Sequence, residues 1–241
     1  MELPQSYVKQ SGVALKLDLR TSRYDISFSY LNAYALQAAF ASNFTFVTPT
    51  EVSYTFFQEP WRQQVIGFDA AFNLNSWAYR FEAAYMHPNK NSSDHYTPHP
   101  QAQFSLGLDK TSGPLNILCE YNLNIVPNYS KLSIPSNPLL LLEYQLNTYN
   151  QLFYRQTDYY NHQIFVFLSV NLFQETLSLE LPMAYNLSTR DYLLSMQMSY
   201  HLVDALDINL GIQKYGGQNN SLYELLKPLY NGYYCELKLS F

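Results

Sequence analysis

The sequence is poor in charged residues and has no long apolar run. Only 14% of its residues are charged, against about a quarter in an average soluble domain. Its uninterrupted apolar stretches are no longer than a few residues, as in the leucine run 139–142, preceded by Pro138. A membrane-spanning helix needs roughly 20 apolar residues, so this stretch is too short to be one.

Positive charge and cysteine are scarce as well. Lys and Arg number 14 against 19 Asp and Glu, which gives a net charge of −5. A nucleic-acid-binding protein needs a basic surface, so we expect no nucleic-acid partner. Two cysteines in 241 residues are too few for a disulfide framework.

Aromatic residues, in contrast, are abundant. They make up 17% of the chain, with 23 Tyr and 15 Phe. At the C-terminus they belong to a run in which every second residue is apolar, from Tyr233 through Cys235, Leu237 and Leu239 to Phe241. A period of two indicates a β-strand with one apolar and one polar face.

This alternation recurs in eleven segments of roughly 8–12 residues, near the length with which a tilted strand crosses a bilayer. Low charge, many aromatic residues and alternating strands are typical of transmembrane β-barrels. We therefore predict an all-β fold, a transmembrane antiparallel up-and-down barrel of about 11–14 strands, with residues 1–241 as one outer-membrane domain. A soluble β-sandwich or lipocalin-like barrel is the alternative, but soluble strands are usually shorter, about 5–6 residues. The outward-facing apolar residues of these segments lie within 13–19, 24–30, 66–72, 77–85, 104–108, 115–125, 164–172, 177–185, 194–200, 206–212 and 233–241.

Short and long connections alternate between these segments. Outer-membrane barrels have short periplasmic turns and longer outside loops, so the two kinds assign the two ends of the barrel. Only the outside connection 188–191 is short. The predicted turns are 21–23, 73–76, 111–114, 174–175 and 203–205, and the predicted long loops are 32–61, 88–101, 127–160 and 216–230.

Two segments depart from simple alternation. In 139–154 the spacing of Leu142, Leu146 and Tyr149 is helical, so we expect an outside loop that is helical or folded inward. Pro182 lies within a strand pattern, where it removes a hydrogen bond of the ladder. This predicts a bulge.

The odd number of strands raises a question about completeness. If the C-terminus is periplasmic, eleven strands place the start of the first strand outside, whereas bacterial single-chain barrels have even strand numbers. Either residues 50–57 form a further strand, or N-terminal strands precede this sequence. Residues 1–10 have neither the apolar core nor the cleavage motif of a signal peptide. We favour the second interpretation and expect the chain to be the C-terminal portion of a longer barrel.

Several stretches resemble poorly characterised porin-like outer-membrane barrels of Gram-negative bacteria, in the style of the alginate-export porins. The resemblance covers roughly residues 60–126 and 160–241 and implies passage of a solute across the outer membrane, without naming it. A C-terminal aromatic residue after alternating apolar residues also resembles the signal that the barrel assembly machinery reads, here Tyr233, Leu237, Leu239 and Phe241. The similar stretches are VIGFDAAFNLNSWAYRFEAAY, FSLGLDKTSGPLNILCEYNLNIV, YLLSMQMSYHLVDALDINLGIQKYGG and YYCELKLSF.

The polar face of the strands is predicted to line the lumen, with nine acidic and four basic residues. Rings of carboxylates favour cations, so an open lumen should prefer them mildly. Among these residues we expect Arg80, Glu82 and Asp69 to form a structural ion-pair network. The predicted lumen-facing charged residues are Lys16, Asp18, Arg20, Asp25, Asp69, Arg80, Glu82, Asp109, Glu120, Glu180, Asp207, Glu236 and Lys238.

Other chemistry is weakly indicated. His87, His95, His99 and Asp94 cluster in and beside one loop, but a proline-containing loop is a poor metal site, so we expect no metal and no cofactor. Known outer-membrane phospholipases place Ser two residues after the catalytic His, and no His of this chain has Ser at that spacing. An omptin-like set of acidic and His groups at the outer rim stays open.

Together these observations predict a porin that passes small solutes, located in the bacterial outer membrane, and not an enzyme. A structural or adhesin-type surface barrel with a plugged lumen is the alternative, and a barrel enzyme is the less favoured one. The expected partners are outer-membrane lipid and lipopolysaccharide, the barrel assembly machinery and small solutes.

The last strand tests the assignment of faces. Arginine at Leu237 should cost roughly 2–4 kcal/mol if the residue lies near the bilayer midplane, because the charge would face lipid. Glu236→Arg should cost much less, because residue 236 belongs to the polar face. Urea unfolding in lipid vesicles measures both, and equal costs would contradict the barrel.

Overall fold

The predicted strands form one antiparallel sheet. A computed structural model describes residues 11–36, 38–48, 51–89, 96–203 and 206–239. In order along the chain the strands are β1 (Val13–Arg20), β2 (Tyr24–Tyr34), β3 (Ala39–Thr48), β4 (Glu51–Glu59), β5 (Arg62–Leu74), β6 (Trp77–Pro88), β7 (Gln101–Ser112), β8 (Leu115–Ile125), β9 (Tyr160–Leu172), β10 (Leu177–Asn186), β11 (Asp191–Val203), β12 (Leu206–Gly216) and β13 (Gly232–Leu239).

Eleven of these strands make the main sheet, in the order β1-β2-β5-β6-β7-β8-β9-β10-β11-β12-β13. Each pairs antiparallel with its neighbours, and within the described ranges β1 and β13 are the edges. The fold is an antiparallel up-and-down transmembrane β-barrel, as predicted, and all eleven predicted segments are strands of this sheet.

The distribution of apolar side chains separates this barrel from a soluble sandwich. The apolar side chains that point outward are exposed: Leu17 is 70% exposed and Leu237 is 67% exposed. The buried apolar side chains of the described ranges are few, namely Ala39, Ala41, Trp61, Val126, Leu152 and Ala184. A water-soluble fold would hide its leucines in a core, so the apolar face of this sheet is suited to lipid.

The register gathers the polar residues on the opposite face, hereafter the polar face. Directly paired residues of an antiparallel ladder point to the same side, and successive pairs can be followed from strand to strand. One such row is Asp18, Ser27, Asp69, Glu82, Ser105, Asn122, Gln163, Asn186 and Asp191.

Residues 50–57 do not supply a twelfth strand of the main sheet. Their described part belongs to β4, which pairs with β3 in a separate two-stranded sheet. This hairpin connects β2 to β5 at the end of the sheet where the long loops lie. One of its faces carries an aromatic cluster of Phe44, Phe46, Tyr54 and Phe56.

Two helices occupy long loops at the same end. The segment 139–154 is helical, as its spacing predicted: a 3₁₀ turn at Pro138–Leu140 leads into α1 (Leu141–Phe153). A second helix, α2 (Leu222–Tyr230), lies between β12 and β13 and was not predicted. Within the described ranges, neither helix has the length and apolarity needed to cross a membrane.

The prediction of a bulge at Pro182 is wrong. Pro182 pairs with Phe167 in an unbroken β9–β10 register. On the β11 side, the pairs Glu180–Gln197 and Met183–Leu194 continue the same register across a gap at 181–182. The proline therefore removes ladder bonds without inserting a residue. The register shift in this region lies instead between His201 and Val203.

Gly211 provides a test of the β12–β13 contact. A Cβ atom there would lie 2.1 Å from Cε1 of Tyr234, so Gly211→Val should force the ring away and cost about 1–3 kcal/mol. Tyr234→Ala should relieve most of this penalty in the double variant. The matched control is Gly107→Ala, because its Cβ would meet Arg80 Cβ at 3.4 Å. Urea unfolding in detergent measures all four, and additive effects of the two β12–β13 changes would contradict the contact.

Candidate functional site

A polar chamber lies on the polar face, towards the end of the sheet with the long loops. Its volume is about 460 Å³. Seven strands from β2 to β10 and the segment after α1 contribute to its lining. The polar side chains at its surface belong to Ser29, Asp69, Glu82, Gln103, Ser105, Asn122, Asn124, Arg155, Asn161, Gln163 and Asn186.

Amides and hydroxyls dominate this lining. The charged groups in the lining are two carboxylates, those of Asp69 and Glu82, and one guanidinium, that of Arg155. The Ser27 hydroxyl donates a hydrogen bond to Asp69, which orients that carboxylate. Because each amide carries both donors and an acceptor, the chamber can bond hydroxyl groups in either sense.

The segment 154–158 forms the roof of the chamber and is fixed by Gln156, which is 2% exposed. Its Oε1 accepts from the His99 N–H at 2.8 Å, and its Nε2 donates to the His99 carbonyl at 2.9 Å and to Gln101 Oε1 at 2.7 Å. Asn124 Nδ2 donates to the same Gln101 oxygen at 3.0 Å and to the Arg155 carbonyl at 2.8 Å. These buried bonds join two outside loops to β7 and β8.

Helix α1 is held against the β3–β4 hairpin. The buried Asn150 amide accepts from the Phe40 N–H at 3.2 Å and donates to the Phe40 carbonyl at 2.7 Å. Trp61 packs its ring edge-on against Tyr154, with centroids 6.1 Å apart. Burial raises the pKa of Tyr154, so this tyrosine stays neutral. The hairpin, α1 and the roof are thus one connected cover over the outer end.

Helix α2 completes the cover from the other side. Asp191, 1% exposed, accepts from the Tyr223 N–H at 2.9 Å and from the Thr189 hydroxyl. Its carboxylate therefore lies at the N-terminus of α2, where the helix dipole favours negative charge. Gly217 allows this approach, since a Cβ there would lie 2.3 Å from Asp191 Cβ. Near the start of the helix, the hydrogen bond from Lys227 lowers the pKa of Glu224.

The thirteen charged residues predicted for the lumen share the polar face by register, but only two of them line the chamber. These two are Asp69 and Glu82. Elsewhere on the polar face, Lys16 pairs with Asp18 at 3.1 Å and Asp207 pairs with His201 at 2.6 Å. That the polar face lines an open lumen stays a prediction. No local sequence pattern indicated Arg155, Gln156 or Asp191, which lie in loops or at a strand end.

The predicted ion-pair network is wrong in its partners. Arg80 pairs with Asp109 on β7 at 2.6 Å, and Asp69 bonds Ser27 on β2. Arg80 is paired with Gly107 and Ala78 with Asp109, so the guanidinium reaches Asp109 diagonally across the β6–β7 ladder, beside a position that has no side chain.

The other candidates are the histidine-containing loop, the C-terminal assembly signal and the two cysteines. His95, Asp94 and Phe241 lie outside the described residues. Within the described ranges, no three His, Cys, Asp or Glu side chains are grouped as metal ligands. Tyr233, Leu237 and Leu239 of the predicted assembly signal are 86%, 67% and 64% exposed, and both cysteines, on β8 and β13, are free.

Comparison with known proteins yields fold neighbours only. No protein-family model and no curated protein sequence match the chain. Among solved structures, an outer membrane phospholipase of Salmonella typhi, a dimer with bound calcium, is 15% identical, covers 95% of this chain and 77% of its own, and has a TM-score of 0.34. Outer membrane phospholipase A of Escherichia coli is 14% identical, with 95% and 82% covered and the same TM-score.

Strands of membrane-crossing length and an apolar outer face decide the protein class. The chain is a bacterial outer-membrane β-barrel protein. The finer resemblance to alginate-export porins has no counterpart in these comparisons. The expectation of a porin without enzymatic activity is contradicted, because the aligned solved structures are those of an enzyme. At this degree of similarity they transfer neither substrate nor catalytic residues to this chain.

Replacing Gln156 tests whether its side chain anchors the roof. Gln156→Leu should remove the two hydrogen bonds to the His99 backbone and the one to Gln101, at a cost of about 1–3 kcal/mol, and so free the segment after α1. Limited proteolysis in detergent should then cut between residues 127 and 159 several-fold faster. The control is Gln151→Leu, which removes one exposed bond to the Ser130 carbonyl. Equal cleavage of both variants would contradict the anchoring role of Gln156.

Proposed function

We propose that this barrel binds a small, uncharged, hydroxyl-rich molecule, such as a disaccharide, in the polar chamber beneath its outer loops. The observation that carries the proposal is the density of side-chain amides and hydroxyls around one cavity. A chamber of about 460 Å³ lies within the range of small-molecule sites, about 300–1,000 Å³.

The charge of the lining favours a neutral ligand over an anion. Asp69 and Glu82 would repel carboxylates and phosphates, and Arg155 alone opposes them. Carboxylates accept hydrogen bonds from sugar hydroxyls, while Asn122 and Gln103 can donate and accept at once. A polyol can therefore bond these polar groups while its C–H faces contact the apolar part of the lining, whereas an apolar ligand would leave the polar groups unpaired at a cost.

The cover over the chamber supports binding at a prepared site. Gln156, Asn150 and Asp191 fix the hairpin, the roof and α2 through buried hydrogen bonds. A rigid site loses less entropy when a ligand binds. The apolar outer face would meanwhile contact lipid and lipopolysaccharide, and the C-terminal strand would be read by the barrel assembly machinery.

The experiment measures binding of maltose, sucrose and lactose to the detergent-purified protein by calorimetry and, in a Trp77→Phe background, by the fluorescence of Trp61, which packs at the roof. We expect at least one of them to bind, and Asn122→Leu to weaken it at least tenfold, since a lost hydrogen bond costs about 1 kcal/mol and an orphaned partner more.

The matched control is Asn116→Leu. Asn116 is an amide on the same strand and the same face, but it bonds Thr111 near the short turn and should leave binding unchanged. Failure of all three sugars to bind, stronger binding of glucuronate than of the neutral sugars, or equal loss in both variants would contradict the proposal.

A further inference from the structure

A second polar cluster lies at the opposite end of the polar face, beside the short connection between β11 and β12. His201 Nδ1 lies 2.6 Å from Asp207 Oδ1. The two residues are directly paired across β11 and β12, and Ser199 is paired with Asn209 one step further along the same face. Serine, histidine and aspartate thus lie together on one surface that the chamber does not include.

The histidine is held in the orientation that general-base catalysis requires. In Ser-His-Asp hydrolases the carboxylate bonds Nδ1, which leaves Nε2 to take the serine proton. Here Asp207 occupies Nδ1, and no described residue bonds Nε2. A half-exposed pair of this kind contributes little to the free energy of unfolding, so a stabilising role does not explain why His201 and Asp207 are paired.

Ser199 lies within reach of that histidine. Residues two apart on a strand are separated by roughly 6.6 Å along it and point to the same side, a gap that one imidazole and one hydroxymethyl group can span. The Ser199 hydroxyl oxygen accepts a weak hydrogen bond from Gln197 Nε2 at 3.5 Å, so its proton remains available to His201.

Gln197 supplies the remaining component, a donor for developing negative charge. Tyr234 on β13 donates its hydroxyl to Gln197 Oε1 at 2.9 Å. This bond fixes which end of the amide faces Ser199 and directs the N–H₂ group towards it. A prepared donor beside the nucleophile is what stabilises a tetrahedral oxyanion.

We propose that Ser199, His201 and Asp207 form a hydrolytic site for short, water-soluble carboxylic esters, with Gln197 as the oxyanion donor. Ser199 Oγ attacks the carbonyl carbon while His201 Nε2 takes its proton. That proton passes to the leaving alcohol as the C–O bond breaks. Water, deprotonated by His201, then attacks the acyl–serine carbonyl; the Oγ–acyl bond breaks, His201 returns the proton to Ser199 Oγ, and the carboxylic acid is released. Asp207 and Tyr234 are positioning residues, acting through His201 and Gln197.

The surroundings define the substrate class. The site faces Asn209, Glu236 and Lys238 across β12 and β13, on the polar side of the sheet. A short ester with a polar alcohol fits this surface, whereas a long acyl chain would be solvated by water there.

The test uses the full chain, folded in detergent, with p-nitrophenyl acetate and butyrate as probes. Hydrolysis above that of empty micelles is expected, together with a single adduct at Ser199 after treatment with a fluorophosphonate, located by peptide mapping. Ser199→Ala and His201→Ala should each lower kcat/KM at least 100-fold. Asp207→Asn should lower kcat at least tenfold and move the pH profile, a change that a purely structural role would not produce.

The matched control is Ser178→Ala. Ser178 lies directly opposite Ser199 on β10 and on the same face, but unlike Ser199 it has no histidine two residues away on its own strand, so its replacement should leave hydrolysis and labelling intact. The chamber variant Asn122→Leu should also leave hydrolysis unchanged, which separates this proposal from sugar binding. Hydrolysis no faster than in empty micelles, activity retained by Ser199→Ala, or equal labelling of Ser178 would overturn the proposal.

Discussion

Lipid offers no hydrogen-bond partner to a peptide group, so every N–H and C=O of a membrane-crossing strand must be bonded by a neighbouring strand. The continuous ladders from β1 to β13 meet this requirement, and they also fix which side chains share a face. A slip by one residue would turn the exposed Leu17 and Leu237 to the polar side. The backbone requirement therefore decides both the fold and the position of every polar group.

With the apolar residues facing lipid, polar groups have to supply the interior contacts. The buried polar side chains of the described residues, among them Gln156, Asn150 and Asp191, outnumber the buried apolar ones. Gln156, Asn150 and Asp191 bond the backbone of His99, Phe40 and Tyr223, and in this way they fix the roof, the hairpin and α2 over the end with the long loops. Directional bonds of this kind specify one arrangement of loops where an apolar core would allow several.

The two proposed sites occupy opposite ends of the polar face and use different chemistry. The chamber offers many amides and hydroxyls with few charges, which suits recognition of a neutral ligand. The cluster at the short-turn end has few groups in fixed roles: Asp207 orients His201, and Tyr234 orients Gln197. Both depend on register, because each brings together residues from different strands.

Alternation by itself determined the eleven strands and their two faces, because a period of two is a local property of the chain, and the lengths of the connections separated the end with short turns from the end with long loops. Helical spacing likewise predicted α1. Local patterns did not predict α2, although Leu222, Leu225 and Leu229 have helical spacing, nor the pairing of Arg80 with Asp109. Only the tertiary structure placed Gln156 against His99 and Asp191 at the start of α2. Those contacts join residues far apart in sequence, and which of them form depends on how the loops fold over the sheet.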